Sequence, residues 1–585
     1  MKSTRLSVPG LALIFVVLFL FFPIYYLAFG SLWSSSPGKA GFLTLANYVA
    51  VLSSSDIPNI VYNTMIYSLG AAIFGNLIAL WLAFTVTKTD APFRRALAVV
   101  PIITLVVPIA MDNLAWIHLF SPNSGLVSGP INAFAKETFG FKGPVLDIYS
   151  MGGMIWTTGL AFTSISYLVI SGPMSRIDGR FEEASRTCGG NGLVTFRRVT
   201  LPLLWPALLS SFLLTFVLAL EAFDTPAFIG VPAKVEVLTS SIYRSMVNLM
   251  PPQYGIATAT SFLLLAITLS VLYFYGRATR TSGKYVTVSA SAGRGTITRL
   301  GKWRSVFGAF TVLYLFVHPI PIFATIILAS FHKFWNPNFL FKTLTLQNYV
   351  DLSLSLLPST PLPIPGVHLS IPSPIVNSFI ISLSTAVSVG IAGFFVAYMY
   401  IKSEGWRQRL AGIAASVPLG FPTIVLAVGL LWALIALPGD LYGTVWALTI
   451  AYTVRYVPIS LRFLTGPLLQ LHKELEEASR VCGGGWFYTV RKVVVPNMRA
   501  PVIAMTIYVM ILSFKELGAA VTLVSNQNRT LSAAMFSIFS AGEPLVAAAA
   551  VVIMVVILTA IVLFAWLVLG ISPISLTGRD RRSSR

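Results

Sequence analysis

Stretches of about 20 nearly continuous apolar residues recur along this chain, a length that spans a bilayer as a helix, without the alternation of a barrel strand. Twelve are counted, near residues 8–32, 60–86, 96–120, 148–171, 203–225, 256–276, 305–330, 375–400, 410–437, 442–464, 499–522 and 545–570. In lipid such a run satisfies its backbone groups only by coiling. The pattern predicts an all-α polytopic membrane protein with twelve transmembrane helices.

The polar segments between the runs repeat. Glu182-Glu183-Ala184-Ser185-Arg186-Thr187-Cys188-Gly189-Gly190, after the fourth run, returns with one change as Glu476-Glu477-Ala478-Ser479-Arg480-Val481-Cys482-Gly483-Gly484, after the tenth. Both copies continue through a basic pair, Arg197-Arg198 and Arg491-Lys492, to Pro202 and Pro496. Thr44-Leu45-Ala46-Asn47-Tyr48-Val49 is echoed by Thr345-Leu346-Gln347-Asn348-Tyr349-Val350, and Asn63, Lys88 and Pro108 by Asn377, Lys402 and Pro422. Shifts in the spacing of these echoes place insertions around Ser121–Asp147 and Leu356–Leu369, in loops expected on the outer side,.

Six spans return a chain to its starting side. The halves, residues 1–276 and 305–585, are therefore expected to be parallel six-helix repeats about a pseudo-two-fold axis, with a substrate route where they meet. Residues 277–304 read as a basic cytoplasmic linker, and Ser289-Ala290-Ser291-Ala292-Gly293 has no pattern for a packed element,.

Charge sets the orientation. Only 10% of the residues are charged, yet the formal net charge is +20. Arg277, Arg280, Lys284, Arg294, Arg299, Lys302 and Arg304 form an acid-free stretch, and the Lys88–Arg95 and Arg176–Arg198 loops and the C-terminal Arg579, Arg581, Arg582 and Arg585 fall on the same side. This is the positive-inside distribution, with both termini cytoplasmic and lipid as the surrounding partner. The basic residues are not interleaved with stacking aromatics, which speaks against nucleic acid. Lys2 and Arg5 before the first run imitate a signal peptide, but the run is too long and lacks a small-residue cleavage site, so it reads as a retained span,. The two cysteines, Cys188 and Cys482, sit at matching loop positions and predict no disulfide,.

Each polar repeat is expected to form a helix, a glycine reversal and a second helix on the inner face. Gly172-Pro173 and Gly466-Pro467 suit helix starts, Glu182/Arg186 and Glu476/Arg480 are spaced for i,i+4 pairs, and Pro202 and Pro496 close the second helices,. Small Ala184, Ser185, Ala478 and Ser479 admit a close neighbour. A single copy could rest on the headgroups; two equivalent copies imply a partner with two equivalent sockets.

The spacing Glu-Ala-Ser, three residues, Gly, nine residues, Val, one residue, then Leu-Pro or Val-Pro, at Glu183–Pro202 and Glu477–Pro496, resembles the EAA loop of binding-protein-dependent ABC importer permeases. Ser185 and Ser479 stand where the second alanine is usual, and Val495 where leucine is. The resemblance implies that Glu183, Ala184, Gly189, Glu477, Ala478 and Gly483 couple the spans to an ATPase, flanked by Glu182, Ser185, Arg197, Glu476, Ser479 and Arg491. It also implies two ATP-binding subunits, a homodimer carrying ATP and Mg, on the cytoplasmic side of a bacterial inner membrane. A soluble or tethered substrate-binding protein is implied on the outer side. The fused arrangement, with Leu220-Glu221-Ala222-Phe223-Asp224-Thr225-Pro226-Ala227, Lys515-Glu516-Leu517-Gly518-Ala519 and Lys284-Tyr285-Val286-Thr287-Val288, looks like the ferric-iron type, although thiamine, phosphonate and polyamine permeases share much of it.

Asp112, Glu221, Asp224, Lys515 and Glu516 lie inside or at the ends of spans, where ionisable groups are costly and usually functional,. Counted along the spans they fall in the outer part. Glu221 and Asp224 share a helical face, and Glu221 corresponds to Lys515, so an ion pair across the halves, substrate contact and gating are the three roles open to them. Arg462 is expected to snorkel and Arg455, deeper, to brace a helix contact. His318, before Pro319 and Pro321, reads as a helix kink rather than a metal ligand, and the few His and Cys show no metal-ligand spacing,. Gly301-Lys302-Trp303 and Gly283-Lys284-Tyr285 lack the phosphate-binding Gly-Lys-Ser/Thr, so the chain is not expected to be an enzyme and carries no cofactor of its own,. An ion-coupled secondary transporter is the rival; it predicts midplane carboxylates and no paired docking loops.

Overall fold

The apolar runs coil as their length requires. The computed structural model describes residues 8–280, 297, 300–335, 344–356, 373–437 and 439–569. Among them every regular element is helical, and strand-like pairing is limited to the bridges Trp33–Leu43 and His332–Leu344. Lys2, Arg5, most of the linker with Lys284-Tyr285-Val286-Thr287-Val288 and Ser289–Gly293, the segment 357–372 and the C-terminal arginines lie outside the described residues.

Among the described residues eight helices are long and apolar enough to cross a membrane: Pro9–Ser31, Ile57–Lys88, Met151–Arg176, Gly192–Glu221, Tyr254–Phe274, Gly301–Ser330, Pro374–Lys402 and Pro544–Ala565. Two bent helix pairs raise the number to ten, against the twelve expected. The run at 96–120 is one of them, Arg94–Leu105 and Ile109–Phe120 meeting at 106°. Pro108 has no N–H to continue the ladder and holds Val107 extended, at ψ 134°,. The run at 410–437 divides in the same place, into Trp406–Ser416 and Thr423–Ala436, with Pro422 just before the second piece. Val445–Gln470 is one 26-residue helix, but Arg455 and Arg462 interrupt its apolarity. The run at 499–522 ends as a helix at Phe514 and resumes as the short Gly518–Thr522. His318 separates Arg304–Val317 from Pro319–Ser330, the break its prolines predict.

The same packing occurs twice. Ile57–Lys88 packs on Met151–Arg176 and Leu201–Glu221, as Ser373–Lys402 packs on Val445–Gln470 and Arg499–Phe514. The first helix of each set crosses over: Val8–Ser31 lies on Thr423–Ala436, and Pro319–Ser330 on Ile109–Phe120. Lipid removes the hydrophobic drive between helices, so close backbone approach and hydrogen bonds must hold them. At the first crossing Gly429 faces Leu27, whose Cβ would stand 3.0 Å from a Cβ added there.

The conserved spacing of the echoes has a structural cause. Asn47 Nδ2 donates to Ser31 O and Trp33 O at 3.0 and 2.9 Å, and Asn348 Nδ2 to Ser330 O and His332 O at 3.0 and 2.7 Å. Each asparagine satisfies carbonyls freed where the first helix ends. Tyr48 and Tyr349 add bonds to Ser31 and Ser330 at 2.9 and 2.8 Å.

Candidate functional site

The two polar repeats form helices Gly179–Thr187 and Lys473–Val481. Asp178 caps the first by accepting from Arg180 N at 3.0 Å,. Both helices end on a left-handed glycine, Gly189 at φ +81° and Gly483 at φ +83°,. The next glycine then closes on the helix: Gly190 N and Gly484 N donate to Ser185 O and Ser479 O at 2.8 Å. A Cβ on either would lie 2.6 Å from the serine Oγ. The Gly-Gly pair is thus required twice over, by conformation and by space. Gly483→Ala is expected to cost about 1 kcal/mol of loop order, read as faster amide exchange over Lys473–Val481; unchanged exchange would contradict this.

The helix boundaries differ from expectation. Gly172-Pro173 and Gly466-Pro467 lie inside Met151–Arg176 and Val445–Gln470, near their C-terminal ends, and the loop helices start later. Pro202 does not close its second helix, whereas in the other copy the helix ends at Asn497, just after Pro496, and meets Arg499–Phe514 at 76°. Each proline follows a wide π turn, Phe196–Thr200 or Val490–Val494, in which Leu201 N reaches Phe196 O and Val495 N reaches Val490 O. That shift takes up the missing proline donor, and in the first copy the chain runs on into Leu201–Glu221,.

Within each loop the two glutamates divide. Glu182 and Glu476 are buried and turn inward: Lys88 Nζ lies 3.0 Å from Glu182 Oε1, and Lys402 Nζ 3.2 Å from Glu476 Oε1. The lysines also donate to the carbonyls of Ile177 and Leu471 at 3.1 and 2.9 Å, and Tyr398 OH donates to Glu476 Oε2 at 2.9 Å. Ile57–Lys88 is 32 residues, about 48 Å at 1.5 Å per residue,, so it outreaches the hydrocarbon core of about 30 Å and brings Lys88 to the loop. Ser185 and Ser479 also face inward, 2.9 Å from Thr195 and Thr489. These four, expected to flank the coupling residues, make contacts that hold the loop in place.

Glu183, Ala184, Gly189, Arg197, Glu477, Ala478, Gly483 and Arg491 are exposed. Exposed apolar residues join them: Leu193 and Val194 in the first copy, Phe487 and Tyr488 in the second. Sequence reasoning missed these four, although their occurrence at matching positions in polar loops was a readable signal.

The structure gathers the intramembrane charges at the junction of the two helix sets. Glu221 ends its helix, and Ala222 is extended, so Glu221 and Asp224 do not share a helical face. Glu221 pairs with Arg455 rather than with Lys515. Arg455 also donates to Phe421 O at 2.9 Å, the carbonyl freed before Pro422. Lys515 donates to Leu105 O and Val107 O, at 2.9 and 3.4 Å, at the corresponding break before Pro108. The breaks before Pro108 and Pro422 are therefore each held by a cation. Asp112, Asp224 and Glu516 act electrostatically on Lys515, and Asp112 Oδ1 lies 3.4 Å from His318 Nε2. The 106° bend means that counting along one straight span does not set the depth of Asp112. Arg455 belongs to this cluster and was missed as a member because its partners come from other helices. Among the described residues no three His, Cys, Asp or Glu side chains are grouped as a metal site would require.

Residues 390–572 match the family described as binding-protein-dependent transport system inner membrane component. The ferric transport system permease protein FbpB of Actinobacillus pleuropneumoniae is 26% identical over 574 residues, covering 95% of this chain and 78% of that protein. The Fe(3+)-transport system permease protein FbpB 2 of Haemophilus influenzae is 24% identical, covering 84% of this chain and 86% of its own length. The sulfate transport system permease protein CysT of Salmonella typhimurium is 28% identical, covering 46% of this chain and 93% of that protein. With paired loops bolted to membrane helices and a likeness that runs nearly end to end, the chain resembles ABC importer permeases, those of the ferric type among them.

Proposed function

We propose that this permease carries a small solute, ferric iron first, from an outer binding protein to the cytoplasm, driven by a separate pair of ATP-binding subunits holding ATP and Mg. In this reading residues 1–276 and 305–585 are parallel six-span halves joined by the linker 277–304, with both termini cytoplasmic. The path runs where the halves meet, past Asp112, Glu221, Asp224, Lys515 and Glu516. The observation that carries the reading is the pair of equivalent loops. Each is anchored from within by a buried lysine–glutamate pair and presents a carboxylate, an alanine and apolar side chains outward.

Iron is favoured because relatives named for ferric transport cover most of the chain, while the sulfate-transport relative matches about half of it. Glu183→Arg combined with Glu477→Arg is expected to leave the protein in the membrane, abolish co-purification of the ATP-binding subunit and cut ATP-dependent uptake at least about tenfold, the effect of roughly 1.4 kcal/mol or more in docking. Uptake at the wild-type rate would overturn the coupling role. The cargo is identified by what the cognate binding protein retains on purification; a protein that binds another solute and not iron(III) would overturn the iron reading.

A further inference from the structure

A cavity of about 350 Å3 lies beyond the far ends of the helices that leave the two loops, and its walls come from both helix sets. Matched hydrogen bonds establish which residues correspond. Leu238 N donates to Thr64 Oγ1 at 2.9 Å and Leu531 N to Ser378 Oγ at 2.8 Å, while Asn63 Nδ2 donates to Glu236 O and Asn377 Nδ2 to Arg529 O at 3.1 Å. At this register Tyr243 corresponds to Phe536 and Val247 to Ser540. All four line the cavity. Corresponding residues of the two sets thus meet at the cavity, most of whose lining comes from the second set.

The same correspondence exposes an imbalance of charge. In the first set Glu236 and Arg244 form an ion pair at 2.8 Å. Their counterparts are Arg529 and Ser537, so the carboxylate is replaced by a guanidinium and the guanidinium by a hydroxyl. Arg529 donates to Ser537 Oγ, and among the described residues no carboxylate pairs with it. It is half-buried in the cavity wall, while Ser537 and Ser540 are exposed, so the cavity is open to solvent. Next to it Phe228 and Phe539 meet at 4.6 Å between ring centroids and the lining residue Phe536 meets Phe223 at 5.9 Å, again one residue from each set.

We propose that this shared cavity receives the solute through an anionic oxygen group, carboxylate or oxyanion, held by Arg529 with the hydroxyls of Ser537 and Ser540. A guanidinium presents parallel N–H donors to such a group, and partial withdrawal from water strengthens the contact. A bare multivalent cation would be repelled there. A metal ion would therefore enter with negatively charged oxygen ligands, and the adjoining aromatic contacts would close the path until the halves part. The proposal rests on the importer reading only for the direction of traffic.

The test uses the full chain in membrane vesicles with Cys188→Ser, Cys482→Ser and Ser540→Cys, and compares labelling by an anionic sulfonatoethyl and a cationic trimethylammonioethyl methanethiosulfonate. The anionic reagent is expected to react faster, and Arg529→Gln to lower the anionic-to-cationic rate ratio roughly tenfold, the effect of one nearby charge at intermediate dielectric constant. Arg529→Lys should keep most of the ratio, and citrate or inorganic phosphate should slow labelling where chloride does not. A ratio indifferent to Arg529→Gln, or labelling that neither citrate nor phosphate slows, overturns the proposal. Val247→Cys on the opposite wall serves if Ser540→Cys does not fold. Labelling needs neither ATP nor an ATPase, so its failure leaves the coupling role standing and a failure of coupling leaves the cavity result intact.

Discussion

Lys402→Met is expected to lower the stability of the protein by about 3–5 kcal/mol and to separate ATP hydrolysis from uptake. Lys402 and Glu476 have side chains only 8% and 7% exposed, so removing the ammonium strands a buried carboxylate against Tyr398. The carbonyl of Leu471, just before helix Lys473–Val481, loses its donor as well. The loop would then be tied to Ser373–Lys402 by far less, and a push delivered to Glu477 and Ala478 would bend the loop instead of moving the span. Lys88→Met should lie at the upper end of the range, because Lys88 and Glu182 are 1% and 4% exposed.

The measurements are thermal unfolding in detergent and solute uptake per ATP hydrolysed. A loss under about 1 kcal/mol, the worth of an exposed pair, would show that the bolt is not structural. Lys402→Met with Glu476→Gln should recover most of the stability, since no charge is then left unpaired, but not the coupling. Recovery of both would mean that the charge matters only to folding.

Arg455→Met is expected to have a comparable cost, about 3–5 kcal/mol, for a different reason. Arg455 reaches in two directions, to the Glu221 carboxylate and to Phe421 O at the break before Pro422. Without it a buried carboxylate and a backbone carbonyl both lose their donors, inside helices that offer no water as a substitute. Glu221→Gln should cost less, since the amide oxygen still accepts from the guanidinium. A double-mutant cycle between the two positions should show coupling of at least about 1 kcal/mol; additive effects would show that the pair is incidental. Because Glu221 and Arg455 come from different helix sets, loss of the pair should also loosen the junction, seen as faster amide exchange at the ends of Leu201–Glu221 and Thr423–Ala436.

Legibility in the sequence followed the range of the interactions. The loop helices, their glycine reversals and the echoes at Asn47/Asn348, Asn63/Asn377 and Lys88/Lys402 could all be located, since each depends on local conformation or is displayed by duplication. The partners could not. Nothing near Lys88 in sequence announces Glu182, and nothing near Glu221 announces Arg455; Lys515 was the natural candidate by register, yet it serves the carbonyls at the other break. Among the described residues eight to ten spans are seen where twelve were expected, because an apolar run records solubility in lipid, not straightness. Pro108 turns one run into a bent pair and Pro422 stands where another divides, without a change in the composition of either.

By itself the sequence determined that this is a helical membrane protein with two copies of one polar loop and charges at the ends of its apolar runs. Apolar length, charge placement and residue-by-residue repetition are properties of the chain and survive any packing of it. Only the tertiary structure decided that Glu182 and Glu476 face inward while Glu183 and Glu477 face out, that Arg455 and Lys515 hold the two helix breaks, and that Arg529 stands without a carboxylate in a cavity shared by both helix sets. Those outcomes depend on which helices meet and at what rotation. That is settled by long-range packing and by the need to satisfy each buried charge and carbonyl, neither of which is written in any one segment.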